Sequence, residues 1–254
     1  MIGVQLEWES NFLVRKLALY LLILMLIPGL CFGAASRSFD GVNDNISMGS
    51  VLNVTTGNVS LCIWSKTTEN AVGDILVGRK GSAGADTAGY HLRQGTSVDT
   101  VDTRIADGTE QLASSSTTDI DGAWYFVCGT YNSTTETTVL YISGTQEDTD
   151  SLANMDSLTN TVSFIIGESG IGGGDATGLM AYSMQFSSIL TAVEVNELMW
   201  KPEIIVISTP NGFWPLWGDS TEIDLSGNGL TGTVTGATTS SDGPPVMFGS
   251  GLPL

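Results

Sequence analysis

From Ser36 onward the chain runs in short apolar and polar stretches divided by Gly, Asn, Asp, Ser and Thr. Almost none of it carries a 3.6-residue period. Alternation at this spacing predicts an all-β, two-sheet antiparallel sandwich. Two stretches anchor the reading, residues 58–66 (NVSLCIWSK) and 123–131 (AWYFVCGTY). Both are rich in β-branched and aromatic residues, and both are apolar on each of their period-two faces. They therefore read as central strands covered on two sides. Each carries a cysteine near its middle. If the two meet, alternation puts Cys62 and Trp64 on one face with Trp124, Phe126 and Cys128, as the middle of a core.

Weaker strands surround them. Residues 36–39 and 45–48 flank a turn that contains Asp40, Asn43 and Asp44. Residues 74–79 and 89–93 flank a Gly/Ala/Asp loop. Residues 100–106 and 110–114 form a hairpin through Asp107-Gly108, and 137–142 and 145–148 another through Ser143-Gly144. Residues 162–167 and 178–186 bracket a glycine-rich loop, and 231–234 form a last strand. One short helix is expected over 191–199. Thr191 and Glu194 supply a capping box, Leu190 and Val195 a hydrophobic staple, and Pro202 a stop.

The first 35 residues differ in kind. Arg15 and Lys16 precede an apolar run over 17–27, then Pro28-Gly29, then small residues at 33–36. This is the pattern of a helical signal peptide, with cleavage after Gly33 or Ala35. The apolar run is short for a membrane span. Residues 1–35 are thus read as a leader and 36–254 as one exported sandwich, with a C-terminal extension from about 203. No stable membrane insertion is expected once the leader is cut. Two cysteines then remain, to be joined in one disulfide or held as two buried thiols.

Charge narrows the partners. Nine basic residues stand against 27 acidic ones, a net −18. Such a chain repels phosphate backbones and anionic lipid, which argues against nucleic acid. Its carboxylates raise calcium as a cofactor, since hard oxygen ligands suit that ion. The candidates are Asp40, Asn43 and Asp44 in the opening turn and Glu168 and Asp175 in the glycine loop. The competing reading is plain turn chemistry.

Catalytic motifs are sparse. Glu222-Ile223-Asp224 begins like a paired-carboxylate strand of a glycoside hydrolase, but the second glutamate is missing and a Gly-Asn-Gly turn follows. The single histidine, His91, sits in mid-strand without a nucleophile motif. Zinc would need more His and Cys than the chain holds. Trp200, Trp214 and Trp217 are candidate sugar platforms, or else packing for the C-terminal segment.

The order of these motifs resembles the laminin-G-like, concanavalin-A-like jelly-roll superfamily. The opening turn FDGVNDNI (39–46), the long strand 59–66, the Trp-led strand 124–131 and the LYISG hairpin (140–144) carry the resemblance. So does the unit from IIG (165–167) to Phe186 with its following helix. The resemblance spans about residues 36–199. Its pentraxin branch implies a Cys62–Cys128 disulfide. The calcium cluster of that branch is thinned here to Glu168 and Asp175. The function implied is a secreted, non-catalytic binding module for a glycan or cell-surface protein, with calcium as its candidate ion. The alternative is a structural or adhesive part of an extracellular or viral assembly, and a glycoside hydrolase ranks third.

Overall fold

In the computed structural model, Cys62 on strand β3 (Val59–Thr67) lies directly opposite Cys128 on β8 (Tyr125–Asn132). The two are joined in a disulfide, with Cα atoms 4.1 Å apart. The structure describes residues 35–247 except 56, 68–72, 81–87, 96–99, 109–110, 117–121, 153–154, 170–173 and 203–208. These residues fall within one unit, Ala34–Leu254. The expected leader, apart from Ala35, lies outside the described residues.

Around β3 and β8 the strands assemble into two antiparallel sheets. The first also contains β1 (Ser36–Asp40), β9 (Thr137–Ile142), β10 (Thr145–Ser151), β12 (Thr177–Phe186) and β16 (Thr238–Ser240), in the order β10-β9-β8-β3-β12-β1-β16. β13 (Gly212–Trp214) shares the edge of β12 with β1, because β12 is ten residues long. The second sheet contains β2 (Asn45–Ser47), β4 (Ile75–Arg79), β5 (Gly89–Gln94), β6 (Val101–Ala106), β7 (Gln111–Ser115), β11 (Ile165–Ile166), β14 (Thr221–Glu222) and β15 (Gly232–Thr235). Its order is β14-β15-β2-β11-β4-β5-β6-β7. The C-terminal residues therefore add strands to both sheets.

Two apolar cores result. Leu61, Ile63 and Val127 of the first sheet meet Val77, Leu92 and Ile166 of the second, with Phe39, Phe164 and Trp214 among them. The second core lies on the outer face of the first sheet. It holds Cys62, Trp64, Phe126, Cys128, Tyr182 and Phe186 beneath helix α1 (Ala192–Trp200), with Trp124 packed at its margin. The five residues expected on one face do share it. That face is covered by α1 and not by the opposite sheet, so the bridge belongs to this second core.

α1 is the one helix among the described residues. Thr191 Oγ1 accepts from Glu194 N–H and Glu194 Oε2 accepts from Thr191 N–H, so the capping box forms. The staple residues Leu190 and Val195 are both buried. The turn between β9 and β10 has Ser143 and Gly144 at φ 48° and 81°. Both central residues are left-handed, as a two-residue type I′ hairpin requires. On one side the sheets close against each other: Ser115 N–H donates to Asp148 Oδ2 at 2.9 Å, and the Ser114 and Thr138 hydroxyls lie 2.7 Å apart.

Candidate ligand-binding site

Pairing of β1 with β12 sets Asp40 opposite Thr177, which carries the opening turn up to the glycine-rich loop. Asp40 Oδ1 accepts from Val42 N–H and Asp44 Oδ2 from Asp40 N–H, each at 2.9 Å. Glu168 Oε2 accepts from the Asn45 amide at 2.7 Å. Asn43 is exposed, and its carbonyl accepts weakly from Asn45. Burial raises the pKa of Asp44, Glu168, Asp175 and Asp74. Repulsion adds to it, from Asp40 on Asp44 and Asp175, and from Asp175 on Glu168 and Asp74.

The five calcium candidates thus belong to one end of the sandwich. Among the described residues, however, no three acidic, His or Cys groups are placed to hold a metal ion. Asp40 and Asp44 are occupied with turn N–H groups, as Asx chemistry predicts.

The tryptophans separate. Trp214 is fully buried between the sheets, stacks on Phe164 at 5.3 Å and donates from Nε1 to the Leu230 carbonyl at 2.7 Å. It cannot serve as a sugar platform, because alternation in β13 turns it inward. Trp217 is half-buried, with its ring edge-on to Tyr182 at 6.0 Å. Trp200, at the end of α1, is 39% exposed.

Glu222 and Asp224 both serve the fold. Glu222 is fully buried, and its Oε2 accepts from Arg37 Nε at 2.9 Å. Its Oε1 accepts from Trp217 N–H at 3.0 Å and Gly218 N–H at 3.2 Å. Asp224 Oδ1 accepts from Phe213 N–H and Ser226 N–H, and its Oδ2 from Leu230 N–H. Burial alone would raise its pKa, but these bonds outweigh burial and lower it.

A fourth group was not expected from the sequence. His91 pairs with Arg104, and Arg93 with Asp102, across β5 and β6. Alternation puts all four on the face of the second sheet that points away from Tyr90 and Leu92 in the core. Asp102 Oδ2 accepts from Arg93 Nη2 at 3.2 Å and from Arg104 Nη2 at 3.4 Å. Lys80, just after β4, is close enough that Arg93 and Arg104 add to the lowering that burial imposes on its pKa. Burial drives the pKa of His91 well below 6.5, and the charges of Arg93, Lys80 and Arg104 push it the same way. Among the described residues His91 Nε2, Arg104 Nε and Asp102 Oδ1 are buried without a hydrogen-bond partner. Arg79 has a different role, donating to Val51 O, to Asn160 O at 2.8 Å and to Asn160 Oδ1 at 3.0 Å. The available signal was the crowding of basic residues between positions 79 and 104 in a chain with so few of them.

No curated protein matches the chain by sequence. Solved structures share its fold. A Bacteroides ovatus protein to which carbohydrate binding has been ascribed superposes with a TM-score of 0.65 at 17% identity, over 84% of this chain and 61% of its own. The chain therefore spans less than two thirds of that protein. A heptameric SAP-like pentraxin from Limulus polyphemus gives 0.52 at 16% identity, over 80% of this chain and 96% of its own. The binding domain of botulinum neurotoxin serotype G gives 0.51 at 14% identity, over 65% and 42%. The family model described as the Concanavalin A-like lectin/glucanases superfamily (Laminin_G_3) matches residues 40–196. With its two-sheet jelly roll and its order of motifs, the chain belongs to that superfamily.

Proposed function

We propose that this chain is an exported, non-catalytic binding module that recognises a glycan or a cell-surface ligand. The observation that carries this reading is the state of Glu222. In a superfamily of lectins and glucanases, the carboxylate nearest to a catalytic spacing is fully buried and ion-paired to Arg37. A glycosidase needs two carboxylates facing a substrate cleft. Neither Glu222 nor Asp224 is free for that work. Similarity of fold to the Bacteroides ovatus protein and to the neurotoxin binding domain supports a binding role. The disulfide fits an oxidising compartment, and no helix among the described residues is long and apolar enough to cross a membrane.

The alternative is a structural part of an assembly. The edge strand β10 of the first sheet weighs against end-to-end sheet growth. β10 carries Glu147, Asp148 and Asp150 and an irregular register between Gln146 and Asp148, and both features block strand addition. A glycan array probed with the full chain, with calcium and with chelator, separates the two. Binding to a defined set of glycans supports the module. Empty arrays together with self-association in solution would favour the assembly. Loss of signal in chelator would assign calcium a part that the described carboxylates do not themselves show.

A further inference from the structure

The outer face of the second sheet carries a cluster of cations. Lys80, Arg93 and Arg104 gather there around one carboxylate, Asp102. The group retains excess positive charge inside a chain of net −18. The cations are mostly buried, with the Arg93 and Arg104 side chains 14% and 13% exposed. Gathering like charges at such burial is unfavourable unless a counter-charge completes the set. Asp102 supplies only part of it, through long bonds to both guanidinium groups. Among the described residues two buried nitrogens, His91 Nε2 and Arg104 Nε, have no partner, and neither does the buried Oδ1 of Asp102. Buried polar groups normally do, so each orphan calls for an explanation.

We propose that Arg93, Arg104, Lys80 and His91 form an anion site that takes the carboxylate of an acidic monosaccharide unit, such as a uronic acid. Guanidinium groups match a carboxylate in plane and in donor spacing. On binding, the side chains turn so that Arg104 Nε–H and neutral His91 Nε2–H, both closed to solvent in the unliganded fold, donate to it. The net charge of the chain selects against long polyanions, whose many charges the rest of the surface repels. A single anionic unit gains the local cations without that cost. The anion site stands on these residues alone, whereas its assignment to a sugar rests on the glycan-binding reading above.

The test is titration of the full chain with sodium glucuronate, sodium acetate and glucose at constant ionic strength. Binding is followed by calorimetry and by the arginine Nε signals in nitrogen NMR. Saturable binding of glucuronate, at least about tenfold tighter than acetate and accompanied by movement of the Arg104 Nε signal, supports the proposal. Arg104→Gln should weaken glucuronate binding at least about tenfold, the equivalent of one charge-assisted hydrogen bond. Lys80→Gln, at the margin of the strand, should weaken it in the same direction if Arg104→Gln fails to fold. Glucuronate no tighter than acetate, or no binding of either, overturns the proposal. If a neutral glycan from the array still binds Arg104→Gln at full strength, the glycan-binding reading survives such a failure.

Discussion

Arg37 and Glu222 stand 185 residues apart in the chain and 2.9 Å apart in the fold, both almost wholly removed from solvent. Arg37 also donates to the carbonyls of Ala237, Gly218 and Asp219. One guanidinium thereby ties the first strand to the C-terminal segment. Removing one member of a buried pair leaves an unpaired charge, which costs about 3–5 kcal/mol. Arg37→Met or Glu222→Gln should lower stability by that order in urea unfolding. The double variant Arg37→Met/Glu222→Leu should recover only part of it, because the Trp217 and Gly218 N–H groups and the carbonyls bonded to Arg37 still lose their partners. A Glu222→Gln protein of unchanged stability would show that the pair does not hold the segment.

The disulfide closes a loop across a sequence separation of 66. The chain-entropy model gives about 4 kcal/mol for such a loop. Denatured, unreduced protein spanning residues 36–254 should show no reactive thiol. The Cys62→Ala/Cys128→Ala protein should unfold at lower denaturant by about that free energy. Two reactive thiols in the unreduced chain would contradict the bridge.

Much of this architecture was legible because its strands are long. Alternation in the stretches around Cys62 and Cys128 assigned them to one face, and their register opposite each other followed the family resemblance. What alternation left open was which layer covers that face, since an apolar face does not reveal whether a sheet or a helix lies on it. For a related reason the sequence alone does not choose between a sugar platform and core packing for Trp214. β13 has three residues and Pro215 follows it, too short a run for a period to fix a face. β14 and β16 are equally short. The acidic end could be read because its residues sit in turns next to paired strands. The basic face could not, because His91 meets Arg104 only through the register of β5 on β6.

Asp175 is the shared neighbour at the acidic end. Its charge helps to raise the pKa of Glu168 and Asp74, after burial, and its own is raised by burial and by Asp40. A carboxylate with a raised folded pKa binds protons more readily folded than unfolded. It therefore weakens the fold at neutral pH, and the penalty is relieved as pH falls through the raised values. Asp175→Asn should stabilise the protein at pH 7 by up to about 1 kcal/mol, as expected for partly exposed charges. The gain should fade towards about pH 4, where the carboxylates protonate. Thermal melts of both proteins across this range check the sign. A loss of stability at pH 7 would contradict it.

Asp224 has the opposite sign. Its lowered pKa means that its contribution is present above the ordinary value of 3.8 and is lost as pH falls below it. Asp224→Ala should cost about 1–3 kcal/mol at pH 7, because the Phe213 and Leu230 N–H groups lose their acceptor. The cost should shrink in strong acid. Urea midpoints at pH 7 and pH 3 test both statements.

The capping box of α1 gives a smaller figure. Thr191→Ala should destabilise the chain by about 1 kcal/mol, and helix α1 roofs the layer that holds the disulfide. Faster hydrogen exchange at residues 194–195 is the local signature to seek.

As a binding module, this sandwich should hold a glycan or cell-surface ligand without cleaving it. Calorimetric titration of the full chain with glycans retained on the array, with reducing ends assayed in the same samples, tests it most directly. The account predicts saturable one-to-one heats and no growth in reducing ends over hours. Accumulating reducing ends, or no saturable heat with any retained glycan, would contradict it.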